Sequence, residues 1–202
     1  PHDPLWEKYG LAGLAYATID IWEPVGDYSP DDVLIAPWSL EQYPGVEGII
    51  AFGRYAIGEN AINRTFYGDP GVRIDQRGEQ FTFRLGGVER HQIGVRVESG
   101  PQFIGALDPA RGILLIRKTE LQDALYFDIA DNEQVDGPFS SADAFSIFNG
   151  GELGFFELET IGGMRVENGR VTTSALPSHT IILRGDETAL RQMLAAEFGV
   201  RL

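Results

Sequence analysis

Gln80-Phe81-Thr82-Phe83-Arg84-Leu85 alternates polar and apolar side chains with a period of two residues. Successive side chains of an extended chain point to opposite faces, so Phe81, Phe83 and Leu85 share one face and predict a strand with a core side. Outward from this stretch, short apolar or alternating runs recur at 12–22, 32–36, 47–54, 72–75, 90–98, 102–107, 112–118, 123–129, 153–161 and 179–184. Gly, Pro, Asn and Asp punctuate them, which is the pattern of an antiparallel sandwich or barrel rather than of βαβ units. Asp108-Pro109-Ala110-Arg111-Gly112 has turn chemistry and predicts a hairpin between the runs on either side. One helix is expected, near the end: Asp186 caps it, Leu190, Met193, Leu194 and Phe198 recur at helical spacing, and Gly199 stops it. The fold class is therefore all-β, an antiparallel β-sandwich with a short C-terminal helix. Its expected core includes Phe81, Phe83, Ile93, Val95, Leu114, Ile116, Phe156, Leu158, Ile181 and Leu183.

The chain of 202 residues is long enough to bury a core and is read as a single domain, 1–202. Thirty acidic residues against 16 Lys and Arg give a formal charge of -14, a field that repels phosphate backbones and anionic membranes. Nucleic acid is thus not an expected partner, whereas a neutral ligand is compatible with that field. No run approaches the ~18 apolar residues of a membrane span. The absence of cysteine removes disulfides, thiolate nucleophiles and Cys-ligated metals, and leaves the compartment undetermined. The opening Pro1-His2-Asp3 lacks Met and suggests a processed, trimmed or excerpted start. There is no Walker loop, no Gly-x-Ser-x-Gly elbow and no dinucleotide fingerprint, so no cofactor is expected. Asp128-Ile129-Ala130-Asp131-Asn132-Glu133 offers oxygen ligands but lacks EF-hand spacing, and reads as a solvated acidic loop.

From about residue 81 onward the order of motifs resembles an uncharacterised bacterial family of the galactose mutarotase-like superfamily. The resemblance rests on His91-Gln92-Ile93-Gly94, Leu107 to Leu114, Phe148-Asn149-Gly150-Gly151, Gly154-Phe155-Phe156-Glu157-Leu158-Glu159-Thr160, Ser178-His179-Thr180 and the terminal helix. Ala36-Pro37-Trp38-Ser39-Leu40 extends it toward the N-terminus. It implies a two-sheet supersandwich with a sugar-binding cleft on a concave face, as in aldose 1-epimerases. Such folds usually need more chain than this, which leaves open a C-terminal portion of a longer protein or a reduced version of the fold. A bacterial cytoplasmic, periplasmic or secreted location also stays open.

Along the strand through Gly154 to Ile161, Glu157 and Glu159 fall on one face, about 6–7 Å apart at ~3.3 Å per residue. Neighbouring carboxylates on an enclosed face raise one pKa, which supplies an acid and a base from one residue type. The resemblance assigns the catalytic carboxylate to Glu159, because a Glu followed by Thr occupies that strand in aldose 1-epimerases. A solvent-facing pair on an ordinary sheet is the competing reading. Ring opening of an aldose also needs an acid, usually His. Only His2, His91 and His179 exist, and the segment that should carry the acid, Ala36 to Leu40, has none. His179 at a strand start is the remaining candidate catalytic partner, and His91 a candidate ligand contact. These scattered histidines do not make a zinc site. Trp38 is the expected aromatic platform for a sugar, with Arg54 and Asn149 as hydrogen-bonding candidates. The leading functional expectation is a carbohydrate-binding sandwich, non-catalytic or weakly catalytic. A sugar epimerase using Glu159 and a ligand-free structural or interaction sandwich are the alternatives.

Overall fold

The computed structural model describes residues 4–66, 68–127 and 142–202. A single turn of helix, α1 (Pro4–Glu7), precedes the strands. These are β1 (Ala12–Trp22), β2 (Trp38–Pro44), β3 (Ile50–Arg54), β4 (Ile62–Asn63), β5 (Ile74–Arg77), β6 (Gln80–Arg84) and β7 (His91–Arg96). There follow β8 (Phe103–Asp108), β9 (Ile113–Thr119), β10 (Asp143–Asn149), β11 (Phe155–Ile161), β12 (Val166–Glu167), β13 (Arg170–Val171) and β14 (Ser174–Arg184), then α2 (Glu187–Phe198). The principal ladders form a seven-stranded sheet, β1-β14-β9-β8-β3-β6-β5, and a five-stranded sheet, β2-β11-β10-β7-β4. All their strand pairs are antiparallel.

Two apolar layers hold this arrangement. Phe81 and Phe83 of β6 turn inward, as their alternation requires, and meet Phe145, Ile147, Phe156 and Leu158 of the five-stranded sheet. On the other face of the seven-stranded sheet, Leu114, Ile116 and Leu183 pack under α2 with Leu190, Met193, Leu194 and Phe198. Leu114 and Ile116 are therefore core residues of the helix layer, not of the space between the sheets, and Ile181 is only partly buried against them. Because burial of one such side chain is worth ~1.5–3 kcal/mol, both layers contribute substantially to stability.

Local chemistry fixes the connections. Asp186 Oδ1 accepts from Thr188 N at 2.9 Å, and Gly199 ends the helix at φ 67°, a left-handed conformation that costs a side chain-bearing residue more. Asp108 accepts from Arg111 N at 3.1 Å and pairs with its guanidinium at 2.8 Å, closing the β8–β9 turn.

The differences from expectation are local. The expected strand at 32–36 is replaced by β2, beginning at Trp38. Within 123–129, the described part forms only an isolated bridge between Leu125 and Met164. The acidic segment 128–133 lies outside the described residues. β14 begins at Ser174 rather than 179, passing through Pro177 where β1 alone pairs with it; the β9 ladder starts at Ser178. A proline without an N–H is accommodated where one side of the ladder is not yet paired.

Candidate functional site

The outer face of the five-stranded sheet is built by register. Leu40 of β2 pairs with Glu159 of β11, and Ser146 of β10 pairs on its two sides with Glu159 and with Gly94 of β7. Side chains two residues away share that face: Trp38 and Gln42, Glu157, Phe148, and Gln92. Leu158 and Thr160 point the other way, into the sandwich. Glu157 and Glu159 therefore do share one face, as the alternation predicts.

Glu159 is buried to 1% exposure, yet Trp38 beside it is 47% exposed. The indole Nε1 donates to Glu159 Oε2 at 3.0 Å. The Ser146 hydroxyl also bonds to Glu159, and Gln92 Nε2 donates to Ser146 Oγ at 2.8 Å. A hydrogen-bonded row thus runs across three strands from Gln92 through Ser146 to Glu159, and Trp38 closes it from a fourth. Burial pushes the Glu159 carboxyl up to about 7; the Glu157 charge adds to that, while Trp38, Ser146 and Arg117 act against it. Burial also raises Glu157. A carboxyl poised near neutrality can accept or donate a proton at physiological pH.

Asp143 extends the acidic character of this face. The ladder register shifts between Asp143 and Phe145, and the Asp143 carboxylate lies over Gly94, where any Cβ would collide with it. Asn63 Nδ2 donates to Asp143 Oδ2 at 2.8 Å. Ser146, Gln92, Asp143 and Asn63 were not singled out from sequence. The available signal was the alternation in Asp143-Ala144-Phe145-Ser146-Ile147-Phe148, which places Ser146 opposite the core-facing Phe145 and Ile147.

The other sequence-derived candidates stand elsewhere. His179 is exposed on the helix-side face of the seven-stranded sheet, opposite Lys118 in register. It does not meet Glu159, which lies on the outer side of the other sheet, because Ser178 and Thr180 take the inward positions of β14. Arg54 serves the end of α2, with Nη1 3.4 Å from Phe198 O and Nη2 paired with Glu79 at 2.5 Å. His91 is buried on the inward side of β7, its Nδ1 3.2 Å from Glu89 O. Asn149, opposite it in register, clamps the 86–89 loop, accepting from Gly86 N at 2.8 Å and donating to Gly86 O and Glu89 O. These last two roles are structural.

Behind β11, between the sheets, lies a second polar cluster. Arg117 of β9 is 1% exposed and pairs with Glu41 of β2. Its guanidinium also donates to Ser39 Oγ at 2.9 Å and to Thr180 Oγ1 at 3.1 Å. Glu41 accepts from Tyr16 at 2.8 Å, from Thr180 at 2.6 Å and from Tyr43. Burial alone would raise Glu41, but the three hydroxyl donors and the Arg117 charge together hold it below its ordinary value. Desolvation and the Glu41 carboxylate raise the Tyr43 phenol.

Among the described residues no three His, Asp or Glu side chains come together as a metal-binding group, and no helix is long and apolar enough to cross a membrane. The fold and this face define an antiparallel β-sandwich with an acidic, tryptophan-flanked sheet surface. The chain belongs to DUF6786, a family of unknown function, whose match spans residues 9–202. No curated protein and no solved structure matches it.

Proposed function

We propose that the Trp38–Glu159 face binds a neutral carbohydrate, with no turnover or weak turnover, in a sandwich akin to the galactose mutarotase-like proteins. The observation that carries this reading is the anchored indole. Its N–H is fixed on a buried carboxyl while nearly half of the side chain stays open. An aromatic ring held in one orientation stacks on the C–H face of a pyranose at little entropic cost, and Glu157 and Gln42, paired in register on this face and not buried, provide directional partners for hydroxyls. The Glu157 and Glu159 carboxyls on this face favour an uncharged ligand over an anionic one.

The epimerase alternative is favoured by one observation, the Glu159 carboxyl near pH 7. It lacks a histidine partner among the described residues of this face. Polarimetry with freshly dissolved aldoses separates the two readings: a binder leaves the approach to anomeric equilibrium at its spontaneous rate, and an enzyme accelerates it. Tryptophan emission recorded during titration with a panel of monosaccharides and oligosaccharides tests binding. A saturable change lost in Trp38→Phe supports it, and no response to any sugar favours a sandwich used only for structure or assembly.

A further inference from the structure

On the far side of the sandwich, the chain builds a cleft of about 210 Å³ where β5, β6 and the segment after α2 meet. The alternation of β6 that sends Phe81 and Phe83 into the core sends Gln80, Thr82 and Arg84 outward into this cleft. Gln80 holds the backbone of Arg201 at two points, its Nε2 donating to Arg201 O at 3.0 Å and its Oε1 accepting from Arg201 N at 3.2 Å. Arg201 is thereby fixed above the strand. Arg84 is steadied by Nη2 donating to Val72 O at 2.7 Å. Asp75, the one acidic side chain lining the cleft among the described residues, pairs with Arg77 at 2.5 Å. Among the described residues neither Arg84 nor Arg201 has a carboxylate within ion-pair distance. Three arginines and one acidic side chain thus line this cleft, in a molecule of 30 acidic residues against 16 Lys and Arg.

We infer that this cleft binds a tetrahedral oxyanion, sulfate or phosphate, either free or as an ester substituent. Guanidinium groups present planar forks of N–H donors that match such oxygens, and Gln80 and Thr82 add neutral polar groups beside them. The overall negative charge does not prevent this. At physiological ionic strength charges beyond ~8 Å are screened, so the arginines at the cleft dominate its local field. The cleft is distinct from the Trp38–Glu159 face, and the inference does not depend on the function proposed for that face.

The test is calorimetric titration of the full chain with sodium sulfate, sodium phosphate and a sulfated monosaccharide, at ionic strength held constant with sodium chloride. Arg201→Gln is the principal variant because its backbone clamp to Gln80 leaves the side chain free to be changed. Arg84→Gln is the second. Saturable binding of at least one oxyanion, weakened roughly tenfold or more in either variant, is the expected result. Preference for the inorganic ions assigns a free anion, and preference for the sulfated sugar assigns an ester substituent. Absence of saturable heat with all three ligands, or binding unchanged in Arg201→Gln and Arg84→Gln alike, overturns the inference.

Discussion

Trp38 and Glu159 meet diagonally across two neighbouring strands, joined by a 3.0 Å hydrogen bond from the indole to the carboxyl. In the ladder Trp38 stands opposite Ile161 and Glu159 opposite Leu40, so the indole leans along β2 to cover a carboxyl it does not face in register. The contact couples a buried acid of the outer sheet face to an exposed aromatic.

That enclosure has a consequence for stability against pH. The folded-state pKa of Glu159 is raised to about 7, so between its unfolded value and about 7 the folded chain binds more protons than the unfolded one. Its contribution is present at pH 4 and is lost as pH rises through 7, on the order of 3 kcal/mol. Glu159→Gln, which stays neutral, should flatten this decline. Urea denaturation at pH 5 and pH 8 compares the two proteins, and a variant with the same decline as the parent would show that another group is responsible.

Arg117 and Glu41 should behave as a coupled pair. Removing the cation alone, as in Arg117→Met, leaves a buried carboxylate supported only by hydroxyls and should cost about 3–5 kcal/mol. Combining it with Glu41→Gln removes the uncompensated charge, its amide oxygen still accepting from Tyr16 and Thr180 while its NH2 turns to the Tyr43 hydroxyl as a donor, so the double variant should be more stable than Arg117→Met. Arg117 Nε already lacks a partner among the described residues, so the pair is not fully satisfied even in the parent. A double-mutant cycle with no coupling would contradict the assigned ion pair.

The two-layer core makes a volumetric prediction. Phe81 and Phe145 approach the inter-sheet layer from opposite sheets and are fully buried. Truncation of either to Ala should cost about 3–5 kcal/mol in chemical denaturation. A loss below ~1 kcal/mol for both would mean that the sheets do not pack face to face as described.

Much of this core was legible in the sequence because period-two alternation maps directly onto burial. Phe81 and Phe83, Ile93 and Val95, and Phe156 and Leu158 are inward pairs read that way, and Asp186 and Gly199 bound the helix as their chemistry requires. The polar architecture was less legible. Arg117 follows an apolar run, Ile113-Leu114-Leu115-Ile116, and arginine ordinarily marks an exposed position. Only the parity it shares with Leu115 points inward, and its partner Glu41 lies far away in sequence. Nor does a single strand say which sheet it joins: His179 and Glu159 both lie in strands, and only the strand order separates them onto opposite outer faces.

Asn149 shows the same difference between residue type and role. It fastens the 86–89 loop by three hydrogen bonds inside the protein, so it is not available as a ligand donor. Asn149→Ala should lower stability by about 1–3 kcal/mol, since buried backbone groups lose their partners, with little effect on ligand binding at Glu159. Hydrogen exchange should quicken at Gly86. Protection there equal to that of the parent would contradict the clamp.

The most direct test of the central reading is calorimetric titration of the parent and of Glu159→Gln with a panel of neutral monosaccharides and oligosaccharides at pH 7.5. Saturable binding of at least one sugar by the parent is the expected result. The Gln variant, which keeps the shape but loses the charged acceptor that anchors the Trp38 indole, should bind it about 1.5–3 kcal/mol more weakly and remain folded. No binding of any sugar by the parent, or equal affinity in the two proteins, would contradict the assignment of this face as a carbohydrate site centred on Glu159.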